Sequence, residues 1–160
     1  SDADAILAGC ERIWSWLRTR DPVRAAQYRE RWERRQAHLS AVQHELGTLT
    51  PESGLAAHDL SPEMEAEITR LVQAHAGRVG RAWLLRRPIE AEPQARAYVL
   101  AFEMTRRWLR SDGALGKLAR ELATESYPVA LHVVPLGSKA FRSWRKRIRR
   151  LGATPLDLRR

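Results

Sequence analysis

Residues 97 to 104 read AYVLAFEM, seven apolar residues with a single acid, Glu103. Strands that are buried on both faces carry near-continuous apolar runs, whereas strands with one solvent face alternate apolar and polar residues. The stretches RAWLLR at residues 81 to 86 and PVALHVVPL at residues 128 to 136 are also dense in apolar residues. The sequence therefore predicts three strands of a sheet that is covered on both faces.

Three helices are predicted around these strands. Ser61-Pro62 supplies a capping side chain and a proline at the first helical position, and this helix stops near Gly77. Residues 106 to 125, with Gly113 in their middle, predict the second helix, and residues 137 to 151 predict the third. The order is helix, strand, strand, helix, strand, helix. The last two strands are expected to be parallel and joined by a right-handed crossover, as almost all such connections are.

Two further helices are predicted before residue 48. The first has an apolar stripe at spacings of four, three and four, formed by Ile6, Cys10, Ile13 and Leu17. Asp21-Pro22 then caps and opens a second helix, which ends at Gly47. The two helices are expected to form a hairpin.

The expected fold class is α/β (α+β), a helical hairpin followed by a small three-stranded mixed sheet. Residues 1–47 form the hairpin, residues 48–60 are interpreted as a linker because they gather Gly, Thr, Pro and Ser without periodicity, and residues 61–160 form the α/β domain. The helices of this domain are assigned to one face of the sheet. The other face is expected to be covered by the hairpin or by a second copy of the chain, which would make a homodimer.

The positive charge is concentrated at the C-terminus. Nine basic residues and one acid follow Leu136, whereas nineteen basic and eighteen acidic residues precede Gly137. Such asymmetry indicates an anionic partner. Against this reading, 25 of the 28 basic residues are Arg, which is typical of a GC-rich genome and reduces the weight of Arg abundance alone.

Known catalytic and cofactor signatures are missing from the sequence. The five histidines form no HExxH pair, and neither the GxSxG elbow nor a Gly-rich phosphate loop occurs. Cys10 is the single cysteine, which excludes an internal disulfide and a Cys-based zinc site. The expectation is a protein that is not an enzyme, with no catalytic, metal-binding or cofactor-binding residues and no cofactor.

The basic stretch FRSWRKRIRRLG, residues 141 to 152, predicts an amphipathic helix. On a helical wheel Trp144 belongs to the narrow apolar arc, so it is interpreted as a core residue before a base-stacking one. The basic face forms the candidate site for an anion or a partner, with Arg142, Arg145, Lys146, Arg149 and Arg150. Three readings stay open: a solvated face, an acidic protein partner and nucleic acid. Trp16 lies off the stripe of its own helix and is a candidate exposed anchor.

Residues 61 to 160 resemble the C-terminal domain of the enhanced serine sensitivity protein (SseB) family. The resemblance rests on Pro62 and Met64 opening a helix, on the segment VGRAWL at residues 79 to 84, on Pro93 in a charged loop and on the strands and helices that follow. It implies a bacterial interaction domain without established catalytic activity, and it carries over no catalytic residues. Full-length relatives have another α/β domain where this chain has the predicted hairpin.

The expected location is the cytoplasm, with no membrane association. Nothing in the sequence is typical of a signal peptide, and no apolar run approaches the roughly 18 residues of a membrane span. The chain begins at Ser1 without Met, which is also compatible with a piece of a longer protein.

Overall fold

The computed structural model describes residues 2–106 and 113–158. The chain divides into two compact units, Ser1–Gly47 and Thr48–Arg160. Within the described ranges there are five helices and one four-stranded mixed sheet, and the helical pair precedes the sheet. The predicted α+β class is therefore confirmed.

The first unit is a pair of helices, α1 (Asp2–Arg20) and α2 (Pro22–Gly47). Asp21 alone joins them, and its Oδ1 accepts a hydrogen bond of 3.0 Å from the backbone N–H of Arg24. This is the capping role that the sequence predicts for Asp21. The predicted apolar stripe is only partly buried, because Leu17 is 7% exposed whereas Ile13 is 45% exposed.

The second unit contains the sheet and the other three helices. Its elements are β1 (Ala56–Ala57), α3 (Pro62–Gln73), β2 (Val79–Arg87), β3 (Ala97–Met104), α4 (Ala114–Ala123), β4 (Leu131–Pro135) and α5 (Trp144–Arg150). The strand order is β1-β2-β3-β4, with β1 and β2 antiparallel, β2 and β3 antiparallel, and β3 and β4 parallel. The three predicted strands and the parallel pairing are confirmed, and the two-residue β1 adds an edge strand that the sequence analysis does not include.

The two faces of the sheet are covered by different helices. On one face Ile68 of α3 and Leu118 of α4 pack with Phe102 of β3. On the other face Trp144 and Ile148 of α5 pack in a cluster with five strand residues and Leu136, and Leu49 and Leu55 flank that cluster. The strand residues are Trp83, Leu85, Val99, Ala101 and Val134. Both faces are therefore covered within the second unit. The prediction that the hairpin or a second chain covers one of them is wrong.

The 48–60 segment, interpreted from its composition as a linker, belongs to the second unit and is held on α5 by hydrogen bonds. The indole Nε1–H of Trp144 and the guanidinium Nη1 of Arg147 both donate to the carbonyl oxygen of Pro51, each at 2.7 Å. Nη2 of Arg147 donates to the carbonyl oxygen of Ser53 at 2.6 Å. The acceptors are backbone atoms, so residue types in the segment do not reveal these bonds.

Asp59 fixes the other end of the 48–60 segment to the sheet. The Tyr98 hydroxyl donates a hydrogen bond of 2.8 Å to Oδ1 of Asp59, and Nη1 of Arg86 lies 3.3 Å from Oδ2. The hydrogen bond from Tyr98 lowers the pKa of Asp59, burial opposes this shift, and the charges of Arg86 and Arg96 add to the lowering. The segment is thus attached to both α5 and β3.

Two predicted helices are shorter in the structure. The last begins at Trp144 instead of Gly137, and residues 137–143 form turns in which the Phe141 N–H contacts Ser138 Oγ at 3.4 Å. Lys139 and Arg142 therefore precede α5. The helix predicted over residues 106 to 125 is present as α4, which starts after Gly113 because the φ of 75° at that residue is left-handed. The part at residues 107–112 lies outside the described residues.

Replacing Trp144 with Ala tests whether α5 closes the second face of the sheet. Trp144 is fully buried, so the substitution removes a large core side chain and a hydrogen-bond donor, and we expect a loss of about 3 to 5 kcal/mol of unfolding free energy. Urea unfolding and hydrogen exchange of the β3 amides measure this loss in the second unit. Leu151→Ala, at a 41% exposed residue beside α5, is the control and should cost less than about 1 kcal/mol. Equal losses in the two variants would contradict the assignment.

Replacing Asp59 with Asn tests the attachment of the segment to the sheet. A carboxylate whose folded-state pKa is depressed stabilises the fold above its unfolded value, here 3.8, and this contribution disappears as the pH falls through the lower folded value. We expect Asp59→Asn to be less stable than the parent protein at neutral pH and the difference to shrink below about pH 4. Urea unfolding across this pH range measures the difference. Glu52→Gln, an equal charge change at an exposed position of the same segment, is the control. A difference that stays constant down to acidic pH would contradict the role of the Asp59 carboxylate.

Candidate interaction surface

Five of the six basic residues of the stretch at residues 141 to 152 lie on α5, whose orientation is fixed by its buried side. Trp144 and Ile148 are 0% and 2% exposed, and Arg147 is bonded to the 48–60 segment. Since each helical residue turns by about 100°, Lys146, Arg149 and Arg150 share the arc opposite Trp144. The interpretation of Trp144 as a core residue is confirmed, and its ring is withdrawn from any contact with a base.

Four exposed cations form what we call the cation patch: Arg142, Lys146, Arg149 and Arg150. None of the four makes an ion pair with any residue that the structure describes. Their own stretch of the chain supplies no acid, because the first acid after Leu136 is Asp157. The like charges of the patch are therefore not neutralised by an ion pair with any described residue.

Arg145, the fifth predicted site residue, differs from the other four because it has an acidic neighbour. Its Nε lies 2.7 Å from Oε1 of Glu103, and Nη2 of Arg81 lies 2.9 Å from Oε2 of the same carboxylate. Arg81 and Glu103 are directly paired across β2 and β3. We call these three residues the arginine–glutamate triad. The Glu103 side chain is 16% exposed, whereas the side chains of Arg81 and Arg145 are 65% and 40% exposed.

Two pockets of about 400 Å³ and 360 Å³ lie beside the triad, and all three of its residues line both of them. The larger pocket also has Gly80, Thr105 and Arg106 on its wall, and the smaller one has Trp83 and Arg149. The triad therefore stands at the boundary between the two pockets.

Gly80 forms part of the wall of the larger pocket. It lies where the pairing of β2 with β3 shifts register, between Val79 and Arg81. A Cβ atom at this position would approach the backbone nitrogen of Thr105 to 3.3 Å, which is tighter than ordinary van der Waals contact. Bulges of this kind redirect the neighbouring side chain, and here that side chain is Arg81.

The triad and the two donors of Arg147 are the site features that the sequence analysis does not identify. The one signal for Glu103 is its position as the only acid in the apolar run at residues 97 to 104. Arg81 carries no such signal, because its pairing depends on the register of two strands.

Trp16 is 57% exposed on α1, and the guanidinium of Arg20 lies 4.5 Å from the centre of its ring. A groove of the first unit runs past Trp16, Ile13 and Tyr28. The exposure agrees with the prediction made from the sequence. The role of Trp16 as an anchor for a partner stays a prediction.

A second polar cluster connects the end of α3 with α4. Nε2 of His75 lies 2.9 Å from Oε1 of Glu125, and Nη2 of Arg78 lies 3.0 Å from Nδ1 of His75. Because a guanidinium can only donate, Nδ1 of His75 accepts and Nε2–H donates to Glu125. Arg78 also forms an ion pair with Glu121, and this hydrogen bond lowers the pKa of Glu121. The cluster is a mutually paired link between helices.

No family model matches the chain. Searches of curated proteins and of solved structures also give no significant match. The resemblance of residues 61 to 160 to the SseB family therefore stays a prediction.

Two further observations apply only to residues 2–106 and 113–158. No helix in these ranges is both long enough and apolar enough to cross a membrane. The same ranges contain no group of three or more His, Cys, Asp and Glu side chains that could hold a metal ion.

Tyr127, two residues after Glu125 of the cluster, allows a test of its own burial at alkaline pH. Burial, and secondarily the charge of Glu125, raises the pKa of Tyr127 to about 12. A folded state that resists ionisation loses stability as the pH rises above the unfolded tyrosine value of about 10. We expect Tyr127→Phe to lose less stability than the parent protein above pH 10, as measured by urea unfolding. The control is Tyr28→Phe on α2, whose loss of stability above pH 10 should equal that of the parent protein. An equal loss in Tyr127→Phe and in the parent protein would contradict the effect of burial at Tyr127.

Proposed function

We propose that this protein is a non-catalytic interaction module that binds an acidic segment of a partner protein on the surface formed by the cation patch and the arginine–glutamate triad. The observation that carries the proposal is the set of four exposed cations that form no ion pair with any described residue. An ordinary solvated face mixes both signs of charge, as the exposed pair of Arg29 and Glu33 on α2 does. Grouped like charges of this kind favour an anionic partner.

The scaffold beneath the patch supports the same proposal. The buried ring of Trp144 packs α5 on the sheet, and hydrogen bonds from Trp144 and Arg147 hold α5 on the 48–60 segment. The backbone that carries three of the four cations is therefore fixed before any partner binds. A fixed backbone reduces the entropy lost on association, so a modest number of charge contacts yields more affinity.

An acidic protein segment fits the dimensions of this surface better than a nucleic acid does. The seven residues of α5 extend over about 10 Å, which corresponds to about three phosphates along one strand of a duplex. Stacking of bases needs an exposed ring, and the tryptophan of α5 is fully buried. A short carboxylate-bearing segment requires neither a long charged track nor an aromatic platform.

Nucleic-acid binding is the second candidate function, because the same unpaired cations also complement phosphates. About 0.9 is added to the slope of log affinity against log salt for each phosphate neutralised, so the four cations of the patch correspond to a slope below about 4. Binding of this kind is weak and independent of sequence. The resemblance to the SseB family, for its part, implies an interaction domain and not a catalyst.

The test replaces the whole patch in the full chain and measures binding to a fluorescein-labelled polyglutamate peptide. At an ionic strength of about 0.15 M we expect saturable binding with one-to-one stoichiometry. The variant Arg142→Gln, Lys146→Gln, Arg149→Gln, Arg150→Gln should weaken it by about ten-fold or more, since exposed ion pairs contribute about 0.2 to 1 kcal/mol each. Glutamine preserves helix propensity, so the change is confined to charge.

The matched control removes four exposed arginines of α2: Arg24, Arg31, Arg34 and Arg35. It lowers the formal charge by the same amount and should bind polyglutamate within about two-fold of the parent protein. Equal losses in the two variants would show that only net charge matters and would contradict the proposal. Duplex DNA that binds more tightly than polyglutamate at the same ionic strength, with binding lost in the patch variant, would establish the second candidate instead.

A further inference from the structure

We propose that the arginine–glutamate triad receives a carboxylate of the acidic partner segment. The carboxylate of Glu103 already occupies part of this site and thereby limits the affinity of the protein for the segment. This inference rests on the proposed function and assigns a chemical group to one position on that surface. The ligand group is a side-chain carboxylate of a protein, placed beside the guanidinium groups of Arg81 and Arg145.

Glu103 already shows that the two guanidinium groups bind a carboxylate. Its two oxygens are divided between them, Oε1 at 2.7 Å from Arg145 and Oε2 at 2.9 Å from Arg81. Each contact uses one nitrogen of a group that has five N–H donors. Most donors of both arginines therefore remain available to a second carboxylate.

The pairing inside the triad is incomplete. Nε of Arg145 is buried and close to Glu103, yet its N–H is not aligned for a hydrogen bond with that carboxylate or with another described acceptor. A buried donor without an aligned acceptor costs free energy. A partner carboxylate that approaches from a pocket can satisfy the donor when the Arg145 side chain turns.

The position of the triad also supports this assignment. Its residues line both pockets, and Arg106 lines the larger pocket while Arg149 of the cation patch lines the smaller one. Each pocket beside the triad therefore has one further cationic residue on its wall. An acidic segment that lies on the patch reaches the triad without leaving the cationic surface.

Glu103 opposes such a segment because like charges at close range repel each other. Replacing it with Gln removes the negative charge and keeps the shape and one acceptor oxygen. The affinity for a carboxylate-bearing segment should then rise, whereas loss of a purely structural ion pair would leave it unchanged or reduce it.

The experiment compares Glu103→Gln with Glu67→Gln in the full chain, using the labelled polyglutamate peptide at constant ionic strength. Glu67 forms an exposed pair with Arg70 on α3, at 2.6 Å, so its replacement also frees one arginine and raises the formal charge by one. We expect the Kd of Glu103→Gln to be lower than that of the parent protein by about three- to ten-fold. Glu67→Gln should stay within about two-fold. A Kd for Glu103→Gln that equals or exceeds the Glu67→Gln value would overturn the inference.

A second variant and a spectroscopic measurement protect the test. Adding Arg145→Gln to Glu103→Gln should remove most of the gain, because the receiving guanidinium is then missing. In the parent protein, addition of the peptide should shift the Nε–H resonances of Arg81 and Arg145 in nuclear magnetic resonance spectra, while that of Arg70 stays in place. Unmoved resonances at the triad would overturn the inference even if Glu103→Gln failed to fold.

The failure of this inference is distinguishable from failure of the proposed function. If the cation-patch variant loses polyglutamate binding while Glu103→Gln binds like the Glu67→Gln control, the surface is functional and the role of Glu103 is wrong. If the cation-patch variant binds polyglutamate as tightly as the parent protein, the proposed function itself is wrong.

Discussion

A central strand that is apolar on both faces requires two covers, and the second cover depends on Trp144. Helices α3 and α4 close one side of β3 with aliphatic side chains. On the opposite side the short helix α5 inserts Trp144, whose ring packs on the sheet while its Nε1–H reaches the carbonyl oxygen of Pro51. One residue thereby joins the sheet, α5 and the 48–60 segment. Without it, the apolar side of Leu85, Val99 and Ala101 would face solvent.

The same packing determines what α5 presents outward. A seven-residue helix that buries two positions and uses Arg147 to bind backbone carbonyls has four residues left, of which three belong to the cation patch and the fourth, Arg145, belongs to the triad. Burial on one side and charge on the other are thus consequences of a single orientation. The triad extends this cationic surface onto the sheet through the pairing of β2 with β3, so the candidate site combines residues from a helix and two strands.

Features that depend on local composition could be predicted from the sequence, and features that depend on backbone acceptors or strand register could not. The apolar run at residues 97 to 104 predicts β3, and Ser61 opens α3 with a hydrogen bond from the Met64 N–H to its hydroxyl. The attachment of the 48–60 segment is invisible because Pro51 and Ser53 contribute only carbonyl oxygens. The last helix starts later than predicted because residues 137–143 form turns, in which Ser138 Oγ accepts a hydrogen bond from the Phe141 N–H. Arg145 is found as a cation, but its partner Glu103 is distant in sequence.

The two hydrogen bonds of Arg147 give the basic stretch an internal hierarchy that its composition conceals. A guanidinium bridges two carbonyl oxygens with its forked donors, whereas a lysine ammonium is a point donor that does not reproduce this geometry. Six side chains that look interchangeable in FRSWRKRIRRLG therefore divide into one that holds the backbone together and five that face outward or contact Glu103. If these charges were removed one residue at a time, the largest loss of binding would occur at Arg147, because the fold would loosen there. Binding data alone would then assign the centre of recognition to a residue whose role is structural.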